Sequence, residues 1–359
     1  MGNALSTNIF KLVRSLGIVP HKKRQEFTTQ IIEGMIKSRS VTYSQIADKI
    51  DNPIKTSSIE RRIEDYFQKV EFNYEGLISF LLCFIHHDKL ILSIDRTNWK
   101  YGETCVNIFC LSVTIGKMAV PLYFEMLDNN GGNSNPDDRI DLLQSVVHII
   151  GKKRISYLVM DREFIGQKWL SWLKSSEIPF TVRVPKHHKI LFSDGYRESA
   201  MELMENRKSF HANNVVVDGV SVNLSLSYDK DGELLYLIGT MSCKELKMNY
   251  KKRWGIEVFF QAIKKRGFNL EDSCIEEISR YRKLFALVCM AYTVCWIAGI
   301  EDGRLHPVRA KNHGYPQYSI FRRGLNLLRD FFKRKIDPII DQIIVLIWER
   351  YELILKTVG

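Results

Sequence analysis

Three strand-like segments follow one another from Lys89 and form the most regular part of the sequence. They read KLILSIDRTNW, CVNIFCLSVTI and AVPLYFEML, with Gly102 and Gly116 between them. All three are apolar and rich in β-branched and aromatic residues, which favour strands. Short glycine-containing breaks between such runs are typical of a β-meander. We therefore predict three consecutive strands that pair with one another.

Helices and strands alternate after this meander. An Asn/Gly-rich loop precedes, in order, the helix-like RIDLLQSVVHII, the strand-like ISYLVMD, a second helix and the strand-like FTVRV. Between about 185 and 245 the pattern returns to strands, with turn signals at Asp218-Gly219 and Asp231-Gly232. This order predicts an α/β fold, a ribonuclease-H-like core over 87–330 with a β-strand insertion at about 185–245.

Helical patterns flank this core on both sides. Residues 1–86 predict a helical domain, in which VTYSQIADKI and DNPIKTSSIERRIEDYFQKV resemble two helices around a turn. In a helix-turn-helix the second helix enters a DNA major groove, and here it would present Arg61 and Arg62 to DNA. An ordinary helical hairpin is the alternative. Residues 331–359 predict a C-terminal helix, apolar on more than one face, that could either pack on the core or form a subunit contact.

The charge and the cysteine content indicate a polyanionic partner and a reducing compartment. Lys and Arg number 52 against 41 Asp and Glu, a net charge of +11 that favours nucleic acid as a partner. The seven cysteines form no C-x-x-C pair, so we predict buried thiols rather than a zinc site. No signal peptide opens the chain, and the uncharged run from Leu284 to Ile300 predicts a buried core helix. We expect a cytoplasmic protein that binds no membrane.

Two of the predicted strands end on an aspartate. LILSID ends at Asp95 and SYLVMD at Asp161, and a strand edge is a place where carboxylates can converge. For either aspartate alone, a turn or a helix cap is the alternative. Glu257 lies in a later helix-like stretch, YKKRWGIEVFFQAIKKRGFNLED. Together the three acids could hold two divalent cations for phosphoryl transfer, of which Mg²⁺ suits oxygen ligands and Mn²⁺ can substitute.

The stretch around Glu257 also aligns polar residues on one face. At roughly 100° per residue of an α-helix, an arc of about 60° contains four of them: Tyr250, Arg253, Glu257 and Lys264. A solvated face is the alternative, although large apolar residues border this stripe. We predict that Arg253 and Lys264 contact DNA phosphates and that Tyr250 donates a hydrogen bond to phosphate or stacks. Trp254 would stack on an unstacked base, or else pack in the core.

These residues resemble a signature of the DDE transposases of bacterial insertion sequences. One large group of that family has Tyr-x2-Arg-x3-Glu-x6-Lys, and all four residues stand here at those spacings. DRTNWKYG, from Asp95, is similar to the family's first acidic motif, and MDREFIG, which contains Asp161, to the second. FTVRVPK, around Arg183, is similar to the strand after the second motif. The resemblance spans about residues 89–300, with a weaker similarity in HGYPQYSIFRRGLNLL from His313.

The resemblance implies a DNA transposase in which Asp95, Asp161 and Glu257 are catalytic and bind two Mg²⁺ ions per active site. Hydrolytic nicking of an element end would free a 3′-hydroxyl, which would form a hairpin and later join target DNA. Trp254 would stack on a flipped base, and Arg183 would contact DNA. The partners would be terminal inverted repeats and target DNA, held by a homodimer in a nucleoid-associated complex of a bacterial cell. A non-catalytic DNA-binding regulator and a ribonuclease-H-like nuclease without strand transfer are the alternatives.

Overall fold

The computed structural model describes residues 4–85, 87–128, 133–307, 316–334, 340 and 345. Its helices are α1 (Ala4–Ser15), α2 (Lys22–Ser38), α3 (Tyr43–Ala47), α4 (Thr56–Lys69), α5 (Tyr74–Leu82), α6 (Pro136–Ile150), α7 (Gln167–Ser175), α8 (Ala200–Leu203), α9 (Cys243–Tyr250), α10 (Trp254–Gln261), α11 (Ile278–Leu305) and α12 (Ile320–Arg334). Its strands are β1 (Leu90–Tyr101), β2 (Thr104–Ile115), β3 (Met118–Met126), β4 (Ile155–Met160), β5 (Phe180–Arg183), β6 (Lys189–Leu191), β7 (Arg197–Ser199), β8 (Ser209–Val217), β9 (Val220–Tyr228) and β10 (Leu234–Gly239).

The chain divides into two compact units. The first comprises Met1–His86, Trp99–Val106 and Phe260–Gly359, and the second comprises His87–Asn98 and Asn107–Phe259. The domain boundaries that the sequence suggests, after 86 and after 330, stay a prediction. Most of the predicted C-terminal helix, over 331–359, lies outside the described residues.

Helix α11 forms the core of the first unit. It is the one helix among the described residues with the length and hydropathy of a membrane span, and 94% of its most apolar window is buried inside the protein. Helices α2, α5 and α12 pack against it. The prediction of a buried core helix is confirmed. An all-round apolar helix is stable there because neighbouring helices cover each of its faces.

Two glycines allow α11 and α12 to cross at backbone contact. A Cβ atom at Gly299 would lie 1.9 Å from the carbonyl oxygen of Ile320, and a Cβ at Gly324 would lie 1.8 Å from that of Cys295. No side chain fits at such distances, so both positions require glycine. This crossing holds the segment after Ile320 against the core helix.

The predicted helical pair of the N-terminal region is present as α3 and α4. The rings of Tyr43 and Phe67 stack between the two helices with centroids 5.3 Å apart. Ile59 and Ile63, on the same face of α4 as Phe67, are buried, whereas Arg61 and Arg62 are exposed. Apolar residues at helical spacing therefore fix which face of α4 packs, and the basic residues occupy the other face.

The second unit is built on a ten-stranded sheet of order β3-β2-β1-β4-β5-β10-β9-β8-β6-β7. Strands β1, β4 and β5 are parallel neighbours, whereas β2–β3 and every pair from β5–β10 onwards are antiparallel. The predicted meander and the alternation of helices and strands are confirmed. The fold is mixed α/β with one large sheet.

The strands between about 185 and 245 extend this sheet rather than forming a separate one. Strand β10 pairs with β5, and β9 and β8 follow outward. Asp218 and Gly219 connect β8 to β9 with φ angles of 50° and 76°, the left-handed values that a two-residue hairpin turn requires. Both predicted Asp-Gly turns lie between paired strands and are confirmed.

The cysteines are free thiols, but they are not all buried. Four are buried, namely Cys83, Cys110, Cys289 and Cys295. Cys105 and Cys243 are half-buried, and Cys274 is exposed. The prediction of buried thiols is wrong for Cys274, whose side chain is exposed because this residue lies in an irregular segment between helical elements.

The crossing of α11 and α12 predicts opposite effects for two glycine substitutions. Gly324→Ala should lower the free energy of unfolding by about 1–3 kcal/mol or more, because its Cβ meets backbone that cannot move aside. Gly303→Ala, on α11, should be neutral or stabilising by about 0.5–1 kcal/mol, because the nearest atom to its Cβ is Arg323 Nη1 at 3.8 Å. Urea unfolding measures both, and equal destabilisation would contradict the crossing.

Candidate active site

The sheet brings Asp95 and Asp161 to the same level of two neighbouring strands. Strands β1 and β4 are parallel, and Ile94 pairs with Met160, so the next residue of each is an aspartate. Strand β4 ends at Met160, one residue before the predicted end at Asp161, but β1 continues to Tyr101. The prediction that β1 ends at Asp95 is wrong because this strand goes on past the end of β4 into its hairpin with β2.

The stretch from Tyr250 to Lys264 is not one α-helix. Tyr250 ends α9, Lys251–Arg253 form a 3-10 turn, α10 follows, and Ala262–Arg266 form a π-helical turn. The 3-10 and π turns change the angle per residue, so the uniform 100° spacing of the sequence interpretation is wrong. Tyr250, Arg253 and Glu257 still converge on one point.

Helix α10 is fixed against the sheet by the residues around Glu257. A Cβ at Gly255 would lie 2.8 Å from the carbonyl oxygen of Met118 in β3, so the helix backbone approaches the strand directly. Ile256 and Phe259 are fully buried on the same side. Glu257 projects from a helix that cannot rotate without breaking this contact.

Arg253 lies among all three acids. Its Nη1 atom is 3.0 Å from Asp95 Oδ2 and 3.7 Å from Asp161 Oδ2, and its Nη2 atom donates a hydrogen bond to Glu257 Oε1. The Arg253 side chain is only 11% exposed. Three carboxylates therefore share one guanidinium, which was predicted to contact DNA phosphate and here contacts carboxylates. The reason is electrostatic, since three converging negative charges attract the nearest cation.

The remaining oxygens of the two aspartates are held by hydrogen bonds. The backbone N–H of Arg96 donates to Asp95 Oδ1 at 2.8 Å, and that of Arg162 donates to Asp161 Oδ1 at 2.8 Å. The Tyr250 hydroxyl donates to the same Asp161 oxygen at 3.0 Å. Each aspartate thus turns its Oδ1 atom toward donors and its Oδ2 atom toward the guanidinium.

Burial shifts the acid–base equilibria of this cluster. Burial raises the pKa of Asp95 to about 7, although Arg253 and the Arg96 amide oppose the shift. Burial likewise raises the pKa of Tyr250 to about 12, so this phenol stays a hydrogen-bond donor. For Arg253, burial alone would lower the pKa, but Tyr250 and the carboxylates outweigh it and move the pKa upward. Arg253 is therefore a permanent cation.

The three carboxylates have the chemistry of a divalent-metal site, but their oxygens already contact Arg253. In their present positions, no group of three or more His, Cys, Asp or Glu side chains among the described residues could hold a metal ion. Asp95, Asp161 and Glu257 nevertheless offer only carboxylate oxygens, the ligands that Mg²⁺ prefers, and all three already face one cation. These are the residues that would hold a divalent cation once the guanidinium withdraws.

A second ion pair, missed from the sequence, links the two aspartate motifs. The Arg96 guanidinium donates to Glu163 Oε2 from Nε at 3.4 Å and from Nη2 at 3.1 Å, and to Asn107 Oδ1 at 3.2 Å. Glu163 Oε1 is buried without a hydrogen-bond partner among the described residues. The signal was available, because Arg96 follows Asp95 directly and Glu163 comes two residues after Asp161.

Arg139 fixes the loop that carries Asp161 and Glu163. This arginine of α6 is only 4% exposed. Its guanidinium donates to the carbonyl oxygens of Ser134, Glu163 and Ile165 at 2.6, 3.0 and 3.2 Å. Such a buried cation, satisfied by backbone oxygens, gives the loop one conformation. Sequence reasoning missed it because nothing distinguishes Arg139 from a surface arginine of an amphipathic helix.

The other predicted site residues lie in different surroundings. Trp254 is 56% exposed, so the alternative of core packing is wrong. Arg183 Nη2 donates a hydrogen bond to Glu233 at 3.2 Å. Burial would lower the pKa of Arg183, but Tyr250 and Glu233 outweigh burial, so the pKa is raised. In the first unit, Lys264 pairs with Glu271 at 2.7 Å and lies 4.8 Å from the centre of the Trp99 ring. Arg61 and Arg62 are exposed on α4.

The Arg96–Glu163 pair should be energetically coupled. In a double-mutant cycle with Arg96→Gln and Glu163→Gln, we expect a coupling energy of about 1–3 kcal/mol, because both side chains are at most 20% exposed. Lys168→Gln and Asp137→Asn give the matched control, an ion pair at 2.5 Å whose side chains are 59% and 66% exposed and whose coupling should be near zero. Chemical unfolding measures both cycles. A coupling energy near zero for Arg96 and Glu163 would show that this ion pair does not stabilise the fold.

Arg253 should stabilise the metal-free protein. Arg253→Gln leaves three acids without their cation, so the free energy of unfolding in EDTA should fall by about 3 kcal/mol. Mg²⁺ should then raise the melting temperature of the variant more than that of the wild type. Lys153→Gln, at an exposed position of the same unit, serves as a control for the loss of one positive charge. If Mg²⁺ shifts both variants and the wild type equally, Arg253 and the metal do not share the carboxylates.

Comparison with known proteins gives a family match over the residues of this site. The family model described as a transposase DDE domain matches residues 86–294, more than half of the chain. A cryo-EM structure of a piggyBac transposase synaptic complex with hairpin DNA is similar over 96% of this chain and 83% of that chain, with 11% sequence identity and a TM-score of 0.48. No curated protein matches.

The family match contains the aspartates of both motifs and the glutamate of α10, the three acids that share Arg253. Family membership also implies dependence on a divalent metal, in agreement with an oxygen-only donor set. The chain belongs to the DDE transposase family.

Proposed function

We propose that this chain is a DNA transposase that nicks the ends of an insertion sequence and joins them to target DNA. The observation that carries the proposal is the convergence of Asp95, Asp161 and Glu257 on one guanidinium. These acids come from two neighbouring parallel strands and a packed helix. The strand order β3-β2-β1-β4-β5 supports a ribonuclease-H-like core, and strands β6–β10 are the proposed insertion.

The chemistry is phosphoryl transfer at the three carboxylates. Two Mg²⁺ ions, or Mn²⁺ in their place, would supply Lewis-acid activation of the attacking and leaving oxygens. Arg253 gives up the carboxylates and becomes available to a DNA phosphate, which its planar fork binds in bidentate fashion. Tyr250 holds Asp161 in orientation through its hydroxyl, or donates to a phosphate in the same way. The Arg96–Glu163 pair keeps the two aspartate motifs at a fixed separation.

The remaining residues are proposed DNA contacts. Trp254 presents an exposed indole beside Arg253, where a flipped base could stack during hairpin formation. Arg183 and Lys264 would each contact phosphate, in exchange for their present carboxylate partners. The helical N-terminal region, with Arg61 and Arg62, would meet the terminal inverted repeats. We further propose a homodimer in the DNA complex and a nucleoid-associated protein of a bacterial cytoplasm.

Mapping of new 3′ ends tests the proposed function. The substrate is a supercoiled plasmid that carries the gene with its native flanks, incubated with Mg²⁺ and protein. We expect discrete nicks at a pair of inverted repeats, followed by strand transfer. Asp95→Asn, Asp161→Asn and Glu257→Gln should each abolish the nicks and leave duplex binding largely intact. Asp141→Asn, an exposed acid of α6 in the same unit, should change nothing.

The outcomes separate the three functions. Binding at the repeats without Mg²⁺-dependent cutting would identify a regulator. Scattered nicks without strand transfer would identify a nuclease. Nicking that survives in Asp95→Asn would exclude these carboxylates as the reaction centre.

Trp254→Ala should separate two steps of the reaction. Removal of the indole takes away a stacking platform worth about 1–3 kcal/mol per base, so hairpin formation should slow by about 5- to 150-fold. First-strand nicking should change little, because the carboxylates and Arg253 are untouched. Time courses of nicked and hairpin products on an end fragment measure both rates. Trp254→Phe should retain most of the hairpin rate, and equal slowing of both steps by alanine would contradict the stacking role.

A further inference from the structure

A cleft between α2 and α4 carries a group of basic side chains that the proposed chemistry does not use. The cleft is lined by two aromatic and four basic residues, Phe27, Tyr66, Lys23, Arg24, Arg62 and Lys69, together with Asp65. Lys23, Arg62 and Lys69 are exposed and Arg24 is half-buried, so their charged groups reach solvent. One acid among four cations leaves the cleft strongly positive.

Three of the four basic side chains are available to bind an anion. Within the part of the chain that the structure describes, no carboxylate forms an ion pair with Lys23, Arg24 or Arg62, whereas Lys69 pairs with Asp65 at 3.3 Å. Three uncompensated cations on neighbouring helices repel one another, and a bound polyanion would relieve that repulsion.

The aromatic residues form a rigid floor that orients Arg62. Phe27 and Tyr66 are each 6% exposed, and their rings pack edge to face with centroids 5.7 Å apart. The Tyr66 hydroxyl is hydrogen-bonded to the Thr28 hydroxyl at 2.6 Å. The Arg62 guanidinium lies 4.8 Å from the centre of the Phe27 ring. A guanidinium held on an aromatic face loses less side-chain entropy on binding than a free one.

The beginning of α2 adds to the attraction for anions. Lys23 and Arg24 stand in its first turn, which contains no acidic residue, and His21 at the N-cap provides no side-chain hydrogen bond to the helix. The first-turn N–H groups and the helix dipole favour a negative charge at this end. This helix has 17 residues, long enough for a developed dipole.

We propose that the α2–α4 cleft binds the phosphate backbone of duplex DNA through Lys23, Arg24 and Arg62. The proposal rests on the proposed function, in which DNA is the polyanion that this basic chain handles, and it locates one contact surface. Binding here is independent of base sequence, because phosphates carry no sequence information. It also differs from the helix-turn-helix interpretation, in which the exposed face of α4, Arg61 included, meets bases.

Matched neighbours on each helix make the test specific. Lys23→Gln and Arg62→Gln remove cleft charges, whereas Lys22→Gln and Lys55→Gln remove exposed charges at the start of α2 and α4, outside the cleft lining. Lys22 is exposed and pairs with Glu26 at 3.8 Å. Arg62→Lys keeps the charge, and thermal melts confirm that each variant folds. The measurement is fluorescence anisotropy of the full-length protein with a labelled duplex of unrelated sequence, between about 50 and 200 mM NaCl.

Each cleft variant should reduce the slope of log K against log[NaCl] by about 1, and the double variant by about 2. Lys22→Gln, Lys55→Gln and Arg62→Lys should keep the wild-type slope. Unchanged slopes in the cleft variants, or an equal loss in Lys55→Gln, would overturn the proposal.

The outcome is distinguishable from that of the proposed function. If the wild-type protein binds the duplex, and the cleft variants lower its salt dependence as expected, but no DNA is cut in Mg²⁺, the transposase proposal is refuted and the cleft proposal is supported. A wild type that binds no duplex at low salt would refute both.

Discussion

The contact of one guanidinium with three carboxylates joins parts of the chain that are far apart in sequence. Asp95 and Asp161 belong to neighbouring strands, and Glu257 belongs to a helix that follows the outer strands of the sheet. Three acids brought together without a cation would repel one another and raise their own pKa values. Arg253 compensates this repulsion in the folded protein before any metal binds. The cluster is thus both a condition of the fold and the candidate centre of its chemistry.

Backbone packing and charged contacts together hold the three acids in position. The backbone approach at Gly255 fixes the position of α10, and the parallel register of β1 and β4 fixes the two aspartates. Around them, Arg96 and Arg139 tie the loop after β4 to the rest of the unit. Because the cation that compensates the acids is a side chain, we expect that a metal can replace it without unfolding of the protein. A fixed cage of apolar residues could not offer that exchange.

Sequence patterns predicted much of this arrangement, and its limits have physical causes. Alternating apolar runs and Asp-Gly turns gave the strands and hairpins, since side-chain period and left-handed turns are local properties. The spacing from Tyr250 to Glu257 predicted convergence, but the 3-10 and π turns were invisible because several helical forms suit the same residues. Arg253 was assigned to phosphate because a sequence gives no distance to Asp95 or Asp161. The ion pair of Arg96 with Glu163 was missed although both residues lie within two positions of the predicted aspartates.

Binding of Mn²⁺, followed by electron paramagnetic resonance, tests the central claim most directly. The claim is that Asp95, Asp161 and Glu257 exchange Arg253 for divalent cations. We predict saturable Mn²⁺ binding by the wild-type protein, its loss in Asp95→Asn, and tighter binding in Arg253→Gln, where no guanidinium competes. Asp141→Asn, which removes an exposed acid of α6 and leaves the three acids in place, should still bind. Unchanged binding in Asp95→Asn, or weaker binding in Arg253→Gln, would contradict the account.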